Sequence, residues 1–282
     1  MSNNRIEFVI VTFFYDLAQF YMLCLSMKKY QDKQYKIKII FNKHNGSLNG
    51  FDQFEKIIKD QLYDFDVEYI ITPEEVTCAD NGWISQQILK WYLAYHSTAE
   101  WQVVLDSKNF YIRPYKISDL EKGVPGFTMP GSDVNNWSYD ELDKSYNFLK
   151  NYKNEPPQRY AAMTPWIWNT SKIREMLDTL WPNCAWTKLD NLPGTEWFLY
   201  LSWIGNSIRY YPRQCVTGIW GDCIFDKRLV DGIDNKDICF WTHHRFATSD
   251  ESLELTKQVI KYSDIATDKE IAQWQRYRES TI

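Results

Sequence analysis

The chain contains no run of about 18 apolar residues, the length a helix needs to cross a bilayer. Its start also lacks the basic region, apolar centre and small-residue cleavage site of a secretory leader, so it reads as a cytosolic protein without an integral membrane segment. Cysteine is sparse: six, at positions 24, 78, 184, 215, 223 and 239, with no CxxC pair. That usage excludes a disulfide scaffold and predicts reduced, mostly buried thiols. Positive charge is outnumbered, with 32 Lys and Arg against 37 Asp and Glu for a net charge of −5. This argues against a general affinity for nucleic acid and leaves room only for a local basic pocket. GxxxxGK[ST], HExxH, GxSxG and GxGxxG are all absent. P-loop, zincin, α/β-hydrolase and ordinary dinucleotide chemistry therefore have no motif support.

Among what is present, the 13 Trp and the 17% aromatic content stand out in 282 residues. Indole and phenol rings have flat apolar faces and a polar edge, which suits stacking on sugars or bases as well as filling a core. With 44% apolar and 24% charged residues, the balance is that of a folded globular chain.

The first hundred residues alternate strand and helix. IEFVIVTFF (6–14) is an apolar β-rich run of the kind buried on both faces of a parallel sheet. Asp16 then precedes an apolar-periodic helix ending at Lys28-Lys29, where cations complement the helix dipole. YKIKIIF (35–41) is followed by a polar loop with Gly46, Ser47 and Gly50, then by a helix over 51–62; DVEYII (66–71) leads to a helix over 83–96. WQVVLD (101–106) is a fourth strand that ends on an acid. Such a pattern implies a mostly parallel sheet covered by helices on both faces, with a ligand site at the carboxyl ends of its strands. Beyond 106 the rhythm becomes irregular and aromatic. Helices are expected near 139–151, 171–180, 195–204, 251–262 and 268–278, and a late strand at 238–242.

Asp106, Ser107 and Lys108 stand at the carboxyl end of the fourth strand, where an acid can hold a divalent cation or a ribose hydroxyl, or merely cap a turn. On the preceding helix Trp83, Gln86, Gln87 and Lys90 share one side, and Ile84, Ile88, Trp91 and Tyr95 the other. A Gln/Lys stripe is compatible with a solvated face as well as with a site. Thr195 is placed to cap a helix whose first turn holds Glu196, a position carboxylates favour for electrostatic reasons alone. Trp166, Trp168, Trp197 and Trp203 cluster in the irregular half, with Trp203 on the apolar side of its helix. His243 and His244 follow the late strand, and adjacent side chains on a strand face opposite ways.

NGWISQQILKWYLAYHSTAEWQVVLDSKNFYIRP resembles the segment of GT-A-fold nucleotide-sugar glycosyltransferases in which a Gly-Trp-x-x-Gln-Gln-x-x-Lys helix leads to a DxD strand and an Arg-Pro pair. VIVTFFYD is similar to their first strand, and TPWIWNTSKIREML and GTEWFLYLSWIGN resemble acceptor-side segments of bacterial and viral members. The resemblance implies a single Rossmann-like GT-A domain over 1–282, with a nucleotide-binding half (1–115) and an aromatic-rich acceptor half with closing helices (116–282). It implies Thr12, Tyr15 and Asp16 at the nucleoside, and Trp83, Gln86, Gln87 and Lys90 at the donor sugar or phosphate. Asp106 matches the first position of DxD, and Lys108 departs from the third. An ammonium cannot ligate a cation but can neutralise a diphosphate leaving group. Asp106 with His243 or His244 is the implied site for Mn2+ or Mg2+, and Lys108 makes metal independence an open alternative. Glu196 becomes the carboxylate near the anomeric carbon or acceptor hydroxyl, as base, stabiliser or nucleophile.

The expected function is transfer of a sugar from a nucleoside diphosphate sugar, such as a UDP-sugar, to a carbohydrate or other hydroxyl acceptor. A nucleotidyltransferase on a similar sheet would show a Gly-rich basic loop after the first strand, where this chain has FFYDLAQ. A degenerate, non-catalytic glycan-binding protein is the other alternative.

Overall fold

The protein is represented by a computed structural model, which describes residues 5–43, 48–76, 82–115, 117, 124–128, 132–152, 157, 164–182, 186, 189, 192–220, 223–224 and 235–281. Cys78, Cys184, Gly46 and Ser47 lie outside them; Cys24, Cys215 and Cys239 are buried.

The main sheet has five strands: β1 (Ile6–Thr12), β2 (Lys36–Phe41), β3 (Val67–Ile71), β4 (Trp101–Asp106) and β7 (Trp166–Asn169), in the order β3-β2-β1-β4-β7. The first four run parallel and β7 is antiparallel to β4. The in-and-out alternation of a half-exposed strand is missing from β1, whose residues from Glu7 onward are all buried, as an apolar strand sandwiched between helices should be. It stops at Thr12, two residues short of the apolar run, because Phe14–Asp16 turn into a single 3-10 turn that starts helix α1 (Leu17–Tyr30).

Connection handedness explains the two helical layers. From β1 through α1 to β2, and through α2 (Phe51–Gln61) to β3, the chain moves outward in one direction; α3 (Gly82–Tyr95) then carries it back past β1 to β4. With right-handed crossovers, that reversal puts α3 on the opposite face from α1 and α2. The remaining helices are α4 (Ser132–Leu149), α5 (Thr170–Leu180), α6 (Glu196–Ile204), α7 (Asp250–Tyr262) and α8 (Asp268–Thr281). Contacts follow the division: α1 packs on α2 and α8, while α3 packs on α5 and α6. Between β1 and β4 the winding reverses, which opens a crevice at their carboxyl ends.

A second sheet, ordered β10-β9-β11-β5, is built from β5 (Asn109–Tyr111), β9 (Val216–Trp220), β10 (Cys223–Ile224) and β11 (Phe240–His243). β6 (Val124–Thr128) and β8 (Tyr210–Gln214) form a separate parallel pair. Only the last of the strands β8–β11 matches an expected one, since the others are short and lack a clear alternation. Ser107 and Lys108 form the turn from β4 into β5, and the His243 amide donates to the Lys108 carbonyl at 3.0 Å. Both sheets therefore meet at the crevice. Among the described residues, no helix is long and apolar enough to cross a membrane.

At the other end of the main sheet, a buried polar chain crosses four strands. Lys38 of β2 pairs with Glu7 of β1 at 3.3 Å. Glu7 accepts from Gln102 of β4 at 2.6 Å, and Gln102 accepts from the Trp168 indole of β7 at 2.9 Å. Since Glu7 lies opposite Gln102 and Gln102 opposite Trp168, a slip in register would strand every member. Gln102→Leu removes the central link and leaves a buried carboxylate and an indole N–H short of a partner. The expected loss is about 3 kcal/mol, read as a lower urea midpoint at unchanged denaturant slope.

Candidate active site

Three elements bring their charges together at the crevice. Lys90, near the end of α3, is 3% exposed, and its ammonium lies 2.8 Å from Asp106 Oδ1 and 2.9 Å from Glu196 Oε1. The Trp166 ring lies 4.6 Å from the same nitrogen, a favourable position for a cation over an aromatic face. On the far side of Asp106, Lys108 pairs with Oδ2 at 2.9 Å and the Thr164 hydroxyl donates to it at 3.0 Å. The chain turns at Ser107–Lys108, yet Lys108 still leans toward the acid, as two-residue spacing on an extended chain would also give.

The local sequence explains each placement. α6 is buried along its whole length, so its only charge, Glu196, must be compensated internally. The Thr195 hydroxyl accepts from the Phe198 amide at 3.5 Å, as expected of the cap, and the Gln87 side chain accepts from the Glu196 amide at 3.0 Å. Gln87 is thus buried, as is Lys90, so the inner half of this stripe of α3 is not a solvated face. Gln86 donates to the Val11 carbonyl at 3.4 Å, and Trp83 is exposed. On β1, Thr12 is buried, and its hydroxyl has no partner among the described residues. Tyr15 is exposed, and Asp16 accepts from the Ser107 hydroxyl at 2.8 Å and faces Arg245 at 3.5 Å. Of the four tryptophans, Trp168, Trp197 and Trp203 are core residues, and only Trp166, stacked on Trp197 at 5.5 Å, keeps some surface.

Burial and pairing set the protonation states. Burial works against the Asp106 carboxylate, but Lys108 and Lys90 outweigh it and hold its pKa well below the usual range. Burial likewise disfavours the Lys90 ammonium, yet Asp106 and Glu196 keep its pKa above the ordinary value. For Glu196 and Asp16 the balance goes the other way: desolvation exceeds the pull of Lys90 and Arg245 respectively, and both are raised.

The histidines divide as strand geometry requires. His243 faces the interior, with Nδ1 2.8 Å from the Thr256 hydroxyl and Nε2 2.5 Å from an Arg278 nitrogen. Both ring nitrogens are engaged there, which corrects its placement as a metal ligand beside Asp106. His244 feels both Lys108 and Asp106, so it is the imidazole on the crevice side. Among the described residues, no group of three His, Cys, Asp or Glu is disposed to hold a metal ion. Asp106 is bracketed by two ammonium groups, so the donor set does not fit a cation held by the protein.

Thr164 and Arg245 belong to the constellation without having been singled out in the sequence. Arg245 adjoins a residue that was, while Thr164 is brought in only by the segment leading into β7.

A pH dependence follows. Burial, with Arg278 and His244, presses the His243 pKa down to about 3; burial, with Lys108 and Arg245, presses His244 down to about 4. The unfolded chain takes up these protons near pH 6.5 and the folded chain does not, so stability falls as pH drops from about 6.5 toward 4. The slope reaches at most about 1.4 kcal/mol per pH unit for each imidazole, and the raised Glu196 and Asp16 act in the opposite sense. Urea midpoints at pH 7, 6 and 5 should decline steadily, with a shallower decline in His244→Gln.

No curated protein matches the chain. Among solved structures, the chain is similar to "WbbM bifunctional glycosytransferase apo structure", with a TM-score of 0.56 at 9% identity over 97% of this chain and 52% of that one. The likeness is one of fold, and the chain spans about half the length of that protein. A family of unknown function matches over residues 8–213, which hold most of β1, all of α3 and β4, and Glu196. The chain belongs to that family, DUF6492.

Proposed function

We propose that the chain transfers a sugar from a nucleoside diphosphate sugar, with UDP-sugars the first donors to test, to a hydroxyl of a carbohydrate or other acceptor. The observation that carries this reading is the buried Lys90–Asp106–Glu196 bridge beside Lys108, set at the switch point of a sheet whose fold is similar to that of a glycosyltransferase.

In this reading the bond between the anomeric carbon and the diphosphate oxygen breaks, and the carbon joins the acceptor oxygen. The electron pair leaves with the diphosphate, and the acceptor proton passes to a base. Lys108 meets the phosphates and stabilises the charge that develops there. Tyr15 and Asp16 lie toward the nucleoside, and Trp83 and Gln86 toward the sugar. Thr12 and Gln87 support these groups from behind, being closed off from solvent. Glu196, whose pKa burial raises above the ordinary carboxylate value, stands for the acceptor side. Transfer of this kind needs no protein-held cation if lysines supply the compensating charge.

Two measurements test this. Lys108→Ala should weaken binding of UDP roughly ten- to hundredfold while leaving uridine nearly unchanged, because one charge-assisted hydrogen bond contributes about 1.5–3 kcal/mol. Turnover in EDTA should survive at least in part. Full loss in EDTA, restored by manganese, with unchanged UDP affinity in Lys108→Ala, overturns the role of Lys108.

Glu196→Gln keeps the shape and removes the charge. A fall in kcat of about a hundredfold or more assigns the carboxylate to proton transfer, whereas a rate near that of the unaltered enzyme limits it to holding Lys90. Slow donor hydrolysis without acceptor separates the enzyme from a glycan-binding protein.

A further inference from the structure

Beside the crevice lies a cleft of about 360 Å3 between the start of α1, the 245–248 segment and the end of α8. Its lining contains two guanidinium groups, Arg245 and Arg278, and no carboxylate among the described residues. In a chain of net charge −5 that is a local concentration of positive charge.

Arg278 is the unusual member. It is 7% exposed, donates to the Ala247 carbonyl at 3.4 Å, contacts His243 Nε2 at 2.5 Å and lies 5.3 Å from the Trp274 ring. All of these partners are neutral, and no carboxylate of the described residues pairs with it. Burial alone lowers its pKa, consistent with the missing counter-charge. A buried guanidinium is ordinarily matched by an acid, because desolvating its charge is costly. The Arg245 guanidinium lies 4.8 Å from the Phe13 ring and 4.6 Å from the Phe246 ring, and it shares Asp16 with Ser107. The cleft lining thus holds one uncompensated and one partly compensated guanidinium charge, and a guanidinium takes a phosphate through paired N–H bonds. Thr248 and Thr281 add hydroxyls to the lining, and Tyr15 and Phe246, 47% and 58% exposed, offer ring surface there.

We infer that this cleft is a phosphate subsite, in which Arg245 and Arg278 hold the phosphate group of a small molecule whose ring lies against Tyr15 and Phe246. It is a binding claim and does not depend on glycosyl transfer. The phosphate supplies the charge that the buried guanidinium lacks.

The test is calorimetric titration of the full chain with inorganic phosphate, UMP, glucose 6-phosphate, uridine and glucose. Both organic phosphates should bind more tightly than inorganic phosphate, the neutral uridine and glucose at least about tenfold more weakly than their phosphates. Whichever organic phosphate binds better identifies the ring as base or sugar. Arg245→Gln and Arg278→Gln should each weaken phosphate binding about tenfold or more, and Phe246→Ala should weaken only the ring-bearing ligands. Circular dichroism checks folding; if Arg278→Gln fails to fold, the partly exposed Arg245 and Phe246 variants carry the test. Binding of inorganic phosphate and glucose 6-phosphate that persists in Arg245→Gln places the anion elsewhere and overturns the subsite, whatever the fate of the transferase reading.

Discussion

One ammonium group holds the crevice together. Lys90 reaches from α3 to carboxylates on β4 and α6, and all three charges are buried. Such a bridge is not a cheap source of stability, since removing charges from water costs several kcal/mol per ion. Its effect is one of placement. Without Lys90 a buried carboxylate on the apolar helix α6 would be intolerable, and without Glu196 and Asp106 the ammonium would be. The neighbouring contacts reinforce the same junction: Gln87 caps α6 from α3, and Trp166 lies under the ammonium after entering from β7. The irregular half of the chain is thereby anchored to the regular one at the point where the sheet reverses direction.

A second constraint works at the opposite end of the sheet. The chain from Lys38 through Glu7 and Gln102 to Trp168 fixes four strands in register. Register there determines which residues emerge at the other end of β1 and β4. Val11 lies opposite Asp106, so the crevice groups inherit their alignment from a polar network most of a strand away. Polar residues inside the sheet thus contribute specificity of pairing at both ends.

What the sequence disclosed follows this physics. The βα alternation was legible because apolar strands and apolar-periodic helices carry strong local signals, and every helix expected after residue 106 has a counterpart within several residues of its place. Asp106, Lys90, Lys108 and Glu196 were legible as candidates because strand ends and helix first turns are recognisable positions. Their mutual pairing was not, since contacts between residues 90, 106 and 196 depend on how α6 docks. The division of labour between His243 and His244 could be anticipated from strand alternation, but not its direction: that depends on α7 and α8, which supply Thr256 and Arg278. Arg278 itself left no mark in the sequence, being one basic residue in a helix rich in charge. Its meaning comes entirely from what surrounds it.

The distribution of charge around the crevice carries a final consequence. Lys90 and Lys108 balance Asp106 and Glu196, and Arg245 faces Asp16, so the crevice floor is close to electroneutral. A multiply charged anion arriving there gains little from net charge and must rely on local geometry, chiefly the ammonium of Lys108. Beyond Arg245 the balance ends, because Arg278 adds a positive charge with no acid of the described residues beside it. Charge compensation is therefore complete at the floor and incomplete at Arg278 on the α8 side of the crevice. Arg245, shared between Asp16 and the cleft, is the residue through which occupation of one side would be felt on the other.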